Sequence, residues 1–234
     1  MDYRNISSAQ FLSRPNRFVA KVLRAGIEET VHVKNTGRCA ELLVPGCTVY
    51  LEESVNPNRK TRFDLVAVEK QTAQGPLLIN MDSAAPNAAA GEWLAAGGMG
   101  PLDLLHPEHS LGDSRFDFYG EQNGHPLLVE VKGCTLENDG FARFPDAPTE
   151  RGIKHLQGLT YWAKQGWRCA VLFVIQMKGV HTFGPNWGTH PAFGQALREA
   201  QAAGVEILAM DCLVTPQSMV LDRPVKVDLS LPTD

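Results

Sequence analysis

The sequence predicts an α/β (α+β) protein with two domains, an N-terminal small β-barrel and a C-terminal mixed β-sheet flanked by helices. Residues 17–82 contain short apolar runs at close spacing with turn residues between them, which is typical of an all-β unit. From about Ala84 helical periods alternate with continuous apolar runs, which indicate strands covered on both faces. We therefore expect one domain over residues 1–83 and a second over residues 84–234.

The N-terminal half is predicted to form five strands. A five-stranded barrel of this size is most commonly an OB-fold, and OB-folds bind oligonucleotides, so we expect an OB-fold-like barrel that contacts nucleic acid. Residues 56–62 form a polar, basic loop in which Arg59, Lys60 and Arg62 are candidate phosphate ligands. The alternative is a solvated turn with ordinary surface charges. The predicted strands are Arg17–Leu23, Glu29–Val33, Thr48–Glu52, Phe63–Val68 and Leu77–Ile79.

The C-terminal half is predicted to alternate helices with buried strands. Thr149 is a good N-cap for the second helix, and glycines follow the first and third helices. A hairpin followed by strand–helix–strand–helix–strand implies a mixed sheet between helices. The last twenty residues are expected to form edge strands or a tail. The predicted helices are Ala88–Ala96, Thr149–Gln165 and Pro191–Ala203, and the predicted buried strands are Cys169–Ile175 and Val205–Met210.

Two carboxylates are predicted to face each other across a hairpin. Asn123-Gly124 between apolar-rich runs favours a two-residue type I′ turn. That register places Asp117 opposite Glu130, and like charges in this arrangement are destabilising unless a cation lies between them. Mg²⁺ or Mn²⁺ with oxygen ligands suits the pair, and Lys132 would then lie beside a metal-bound water or a phosphate.

Two opposed carboxylates, a divalent cation and an adjacent lysine are the parts of a metal-dependent phosphodiesterase. The same register puts Arg115 opposite Lys132 and turns the apolar residues to the other face of the hairpin. An exposed Glu/Lys strand face, or a different turn register, is the alternative interpretation. The apolar residues in question are Phe116, Phe118, Val129 and Val131.

A second charged segment precedes the predicted helix that begins near Thr149. Arg151, Lys154 and His155 are three or four residues apart, so they share one helical face. A helix N-terminus also attracts phosphates through its free N–H groups and its dipole. We interpret this segment as a phosphate-binding site. A solvated helix face, with His155 capping or packing, is the alternative.

Composition narrows the class of protein. The net charge of −4 argues against a protein that coats nucleic acid through a large basic surface. The chain has no apolar run that could span a membrane and no secretory signal at its N-terminus, so we expect a cytoplasmic protein that does not bind membranes. Five scattered cysteines, without a CxxC pair, are expected to be reduced.

Several motifs together resemble the sugar fermentation stimulation protein A family. The resemblance implies an N-terminal OB-fold and a C-terminal restriction-endonuclease-like domain, with the PD-(D/E)xK signature of Asp followed by Asp/Glu-x-Lys. It also implies DNA binding and a regulatory role in sugar utilisation. The chain departs from the family pattern at Lys34, Cys39 and Gly158, where Pro, Met and Glu are usual. The motifs are Phe144–Leu156, Ser114–Phe118, Glu130–Lys132, Asn35–Gly37 and Glu41–Gly46.

Carried over by this resemblance, Asp117 and Glu130 are metal ligands and Lys132 is the catalytic lysine. Glu108 is a further acidic position that completes the site. Asn35, Arg38 and Arg143 are additional candidate nucleic-acid contacts.

Two functions are compatible with these residues. One is a Mg²⁺- or Mn²⁺-dependent nuclease, and the other is a non-catalytic DNA-binding regulator of sugar (maltose) utilisation that uses the nuclease fold only to bind. The sequence leaves open DNA or RNA, single or double strands, endo- or exonucleolytic cleavage, base preference and oligomeric state.

Overall fold

The N-terminal half forms a six-stranded sheet, five strands of which close into a barrel. A computed structural model describes residues 1–35, 37–112 and 114–231. The strands follow the order β3-β2-β1-β4-β5-β6, and a parallel pairing of β3 with β5 closes the barrel. The bounds are β1 Ile6–Asn16, β2 Val19–Arg24, β3 Ile27–Val33, β4 Thr48–Glu53, β5 Phe63–Thr72 and β6 Gly75–Asn80.

Strand β1 was missed by the sequence analysis, which predicted only five strands for this half. Its sequence is largely polar, and only Ala9 and Phe11 are buried in it. Main-chain pairing to β2 on one side and β4 on the other stabilises the strand. Because one face is open to solvent, the strand needs few apolar side chains.

The C-terminal half contains a mixed six-stranded sheet of order β15-β14-β12-β9-β8-β7 and a small sheet of order β10-β11-β13-β16. Strands β9, β12 and β14 are parallel, whereas β7, β8 and β15 pair antiparallel with their neighbours, as expected for a mixed sheet. The elements are α1 Ala85–Ala95, β7 Leu104–Leu111, β8 Ser114–Gln122, β9 His125–Cys134, β10 Glu137–Asn138, β11 Phe141–Phe144, α2 Glu150–Lys164, β12 Arg168–Ile175, β13 Thr182–Pro185, α3 Pro191–Ala202, β14 Glu206–Thr215, β15 Ser218–Pro224 and β16 Lys226–Val227.

The helices cover both faces of the mixed sheet. Alternate residues of β12 point to opposite sides, so Phe173 packs with the buried residues of α2 and α3, and Leu172 packs with those of α1. This arrangement explains the continuous apolar run in β12. Thr149 caps α2 as predicted, with its Oγ1 accepting from the Gly152 N–H at 3.0 Å. Helix α1 begins at Ala85, three residues before the predicted start.

Buried polar contacts join the two halves. Gln176 Nε2 donates to the Asn80 carbonyl and to the Asp82 carbonyl, each at 3.1 Å. Lys70 Nζ pairs with the buried Glu137 carboxylate at 2.7 Å. The chain start also contacts the C-terminal half, because the Tyr3 N–H donates to the Gln217 carbonyl at 2.7 Å.

The five cysteines are free thiols, as expected. Within the described residues, no helix combines the length and apolar character needed to cross a membrane.

Candidate active site

Asp117 lies where the β8–β9 ladder ends. The pairing follows the predicted register from Gln122 and His125 to Phe118 and Val129, and it goes no further. At the next position the Asp117 carboxylate replaces the main-chain partner, and its Oδ2 accepts the Val131 N–H at 2.7 Å. The predicted direct cross-strand pair of Asp117 with Glu130 is therefore not formed. A side-chain-to-main-chain hydrogen bond takes its place.

Glu130 is buried, with 2% of its surface exposed. Its Oε1 accepts from both the Lys132 ammonium and the His155 ring. Its Oε2 is buried and has no hydrogen-bond partner among the described residues. A buried carboxylate oxygen without a partner is costly, so this atom marks a position that a ligand would stabilise.

The two carboxylates have opposite electrostatic environments. Burial, reinforced by the charge of Glu130, raises the pKa of Asp117 above its ordinary value. Burial would also raise the pKa of Glu130, but the hydrogen bond from His155 and the charge of Lys132 outweigh it and lower that pKa. Glu130 is therefore held as a carboxylate, and the negative charge on Asp117 is disfavoured unless a cation is added.

Asp117→Asn is expected to raise the unfolding free energy in EDTA at neutral pH, by about 1 kcal/mol. Because the folded protein raises the pKa of Asp117, its ionisation destabilises the fold above about pH 4 and has no effect at lower pH. The asparagine oxygen can still accept the Val131 N–H, and the Asn87 amide can turn its own oxygen toward the new NH₂ group. Urea titration at pH 7 and at pH 3.5 measures the difference, which should vanish at the lower pH. Equal or lower stability of the variant at pH 7 would contradict this prediction.

The donor set fits a hard divalent cation. Two oxygen donors come from neighbouring carboxylates, Asp117 and Glu130, and one of their oxygens lacks a partner among the described residues. No group of three or more His, Cys, Asp or Glu side chains with metal-site spacing occurs in the described ranges. Mg²⁺ characteristically uses one or two carboxylates, with waters and substrate phosphates completing its coordination.

His155 belongs to this site, although the sequence analysis assigned it to a row of phosphate contacts with Arg151 and Lys154. Its Nδ1 lies against Glu130 Oε1, and its Nε2 lies 3.3 Å from the Arg151 Nε. Because the guanidinium can only donate, the network assigns the imidazole proton to Nδ1. Helix α2 thus contributes a side chain that orients Glu130, while Lys154 remains exposed.

Asn87 was missed by the sequence analysis. Its Nδ2 donates to Asp117 Oδ1 at 2.8 Å from the first turn of α1. The helix start can approach β9 closely because Gly133 has no side chain, and a Cβ there would lie 2.7 Å from Pro86 Cγ. The only sign of this role in the sequence is that Asn87 is the one side-chain amide in the alanine-rich helix α1.

Comparison with known proteins agrees with this architecture. A family model described as "SfsA N-terminal OB domain" matches residues 12–77, and one described as "Sugar fermentation stimulation protein RE domain" matches residues 84–218. The chain belongs to the sugar fermentation stimulation protein family. The fold is an N-terminal OB domain followed by a restriction-endonuclease-like domain.

The relatives cover nearly the whole chain. A sugar fermentation stimulation protein homolog of Desulfitobacterium hafniense is 53% identical over 219 residues, covering 94% of each chain. A homolog of Clostridium beijerinckii is 49% identical over 220 residues, covering 94% of this chain and 96% of the relative. Among solved structures, Pyrococcus furiosus SfsA in complex with Ca²⁺ is 26% identical, with a TM-score of 0.84 and coverage of 97% of this chain and 98% of that chain.

Glu108, assigned through the family resemblance, does not contact the other two carboxylates. Its main chain has a positive φ of 56°, and its carboxylate pairs with Arg115 Nη2 at 2.6 Å. The Glu108 side chain is 69% exposed. Arg115 therefore pairs across β7 and β8 instead of lying opposite Lys132, because the β8–β9 ladder has already ended at Phe118.

The basic loop of the OB domain is mostly ion-paired within its own domain. Arg59 makes a bidentate contact with Asp64, with both distances 2.7 Å, and Arg62 pairs with Glu53 at 2.7 Å. Lys60 is exposed. The candidate contacts in this loop are thus largely occupied, because the loop folds back onto β4 and β5.

Asn35, Arg38 and Arg143 come together at a cleft between the OB domain and the nuclease-like domain. The cleft has a volume of about 860 Å³. Its lining includes Gly133, which follows Lys132, and Thr149, which caps the helix that carries His155. Three of the predicted nucleic-acid contacts therefore lie beside the carboxylate site.

Proposed function

We propose that this protein is a nucleic-acid-binding, divalent-metal-dependent nuclease that hydrolyses phosphodiesters. The observation that carries the proposal is the buried Oε2 of Glu130, which has no hydrogen-bond partner among the described residues, beside Asp117 and with Lys132 on the same strand. An ordinary solvated Glu/Lys strand face would not bury the glutamate. Nor would it raise the pKa of a neighbouring aspartate.

The residues have distinct roles in this proposal. Asp117 and Glu130 would hold Mg²⁺ or Mn²⁺, which when bound activates water and offsets charge on the phosphate. Lys132 would stabilise the phosphate or orient the attacking water. His155 and Asn87 would hold Glu130 and Asp117 in position. The Ca²⁺ complex of the Pyrococcus furiosus relative supports a divalent cation, though not its identity.

Nucleic acid is the proposed partner, and the OB domain and the arginines of the interdomain cleft support it. Arg38 is exposed in this cleft and Arg143 is half-buried. Guanidinium groups suit phosphate because their planar N–H donors match its oxygens. The overall charge of −4 makes a local basic region the natural place for a polyanion.

A second candidate is a DNA-binding regulator that does not cleave. The location of Arg38 and Arg143 favours it, because neither carboxylate belongs to the cleft lining, so these arginines could bind phosphates without metal. In that case, binding would persist in EDTA and no metal would produce cleavage.

One experiment separates the two candidates. Labelled single- and double-stranded DNA and RNA are incubated with the protein and with Lys132→Ala, in Mg²⁺, Mn²⁺ or EDTA, and thermal melting is followed in the same buffers. A nuclease should cleave only with metal and only with Lys132 present. Saturating metal should also raise the melting temperature by about 5 °C or more, because it binds only the folded state. Absence of both cleavage and a metal-dependent shift would favour the regulator.

A further inference from the structure

The cleft between the two domains carries a concentrated positive charge in an acidic protein. Four arginines and one acidic residue line it, which leaves a local charge of +3. The arginines come from both domains. They are Arg14, Arg17 and Arg38 from the OB domain and Arg143 from the nuclease-like domain, and the acidic residue is Asp146.

Arg14 holds together the wall of the cleft that the OB domain forms. Its Nη1 donates to the carbonyls of Gly37 and Arg38 at 2.9 and 2.6 Å, and its Nη2 donates to those of Arg17 and Asn35 at 2.8 and 2.6 Å. The contacts tie the β1–β2 turn to the chain after β3. No carboxylate pairs with Arg14 within the described residues, so its charge adds to the field of the cleft.

The other three arginines keep their donors available. Within the described part of the chain, Arg17, Arg38 and Arg143 form no ion pair and no side-chain hydrogen bond. Arg17 and Arg143 stack on the rings of Phe18 and Phe141, at 4.9 and 4.5 Å. Stacking uses the face of a guanidinium and leaves its in-plane N–H groups directed outward. This contrasts with Arg59 and Arg62, whose donors are occupied by carboxylates.

We propose that this cleft binds a single strand of nucleic acid, with Arg17, Arg38 and Arg143 contacting successive phosphates. Readers of duplex DNA insert a projecting helix or β-ribbon into a groove. Here the arginines line the wall of a concavity of about 860 Å³, and none of them lies on a helix. Charged grooves flanked by aromatic rings are typical of single-strand binding.

The path of the bound strand toward the carboxylate site rests on the proposed function. Gly133, in the cleft wall, follows Lys132 directly, and Pro86, also in the wall, precedes Asn87. A strand held by the arginines would therefore pass Asp117 and Glu130. Binding itself requires neither metal nor cleavage, so it can be tested separately.

The test is fluorescence anisotropy in EDTA, with labelled single strands of DNA and RNA of about 12 nucleotides and a matched hairpin duplex. The variant Arg38→Ala/Arg143→Ala should lose roughly a hundredfold in single-strand affinity and reduce the salt-dependence slope by about 1.4. The matched control Arg198→Ala/Arg223→Ala removes the same charge from two exposed arginines outside the cleft, and it should change affinity less than about threefold.

Each outcome is informative. Selective loss in the cleft variant, with DNA or RNA, supports the inference even if no cleavage occurs in any metal, in which case only the nuclease proposal fails. Equal loss in both variants would show a nonspecific charge effect and overturn the inference. Duplex binding as tight as single-strand binding, or cleavage by the cleft variant at an unchanged KM for single strands, would overturn it as well.

Discussion

Glu130→Gln is expected to reduce metal-dependent cleavage at least about a thousandfold while leaving the protein folded. Glutamine has the same shape, and its oxygen can still accept from Lys132 and His155. Its amide nitrogen would occupy the position of Oε2, the buried atom that lacks a hydrogen-bond partner among the described residues. The substitution therefore removes the charge and the proposed metal ligand without opening a cavity.

The measurement is a single-turnover cleavage rate, with circular dichroism and urea unfolding to confirm the fold. Glu121→Gln is the matched control, because Glu121 belongs to the same hairpin and its Oε1 accepts from the Tyr119 hydroxyl at 2.6 Å. The control should retain activity within about twofold, as surface substitutions away from special features usually have small effects. Activity of Glu130→Gln within tenfold of the parent would remove Glu130 from the mechanism.

Phe173→Ala is expected to lower the unfolding free energy by about 3–5 kcal/mol, as is typical for a fully buried phenylalanine. Phe173 lies at the centre of the core between the mixed sheet and helices α2 and α3, with 0% of its surface exposed. Its ring centroid lies 4.2 Å from that of Phe183, 5.5 Å from Phe144 and 6.5 Å from Phe193. Truncation leaves a cavity that these rings cannot fill.

Urea unfolding measures this loss, and thermal melting should fall by roughly 10 °C. Phe18→Ala is the control, because Phe18 is 48% exposed and its truncation should cost less than about 1 kcal/mol. Similar losses for the two variants, or a loss below 1 kcal/mol for Phe173→Ala, would show that this aromatic cluster does not anchor the core.

The elements that the sequence predicts well are those that depend on neighbouring residues. The helix that begins after Thr149 and the strand around Phe173 were predicted well, because a cap and a continuous apolar run act over neighbouring residues. Strand β1 was not predicted, since its pairing to β2 and β4 stabilises a polar sequence through main-chain bonds. Hydrogen bonds between distant strands leave little trace in side-chain pattern.

The candidate site also combines features set by neighbouring residues with features set by distant contacts. The hairpin turn at Asn123-Gly124, the nearness of Asp117 to Glu130 and the presence of Lys132 on that strand follow from local register, and the sequence determines them by itself. The exact opposition of the carboxylates does not. It depends on where the ladder ends, and Asp117 takes the Val131 N–H instead of facing Glu130 directly.

Tertiary structure alone decided the surroundings of the two carboxylates. His155 comes from α2 and Asn87 from α1, and both reach the site only because the helices pack on opposite faces of the sheet. The arginine-lined cleft likewise exists only once the two domains are folded together, because its lining comes from both. The physical reason is that residue type and spacing specify local geometry, whereas burial, desolvation and charge neighbours depend on contacts between residues far apart in the chain.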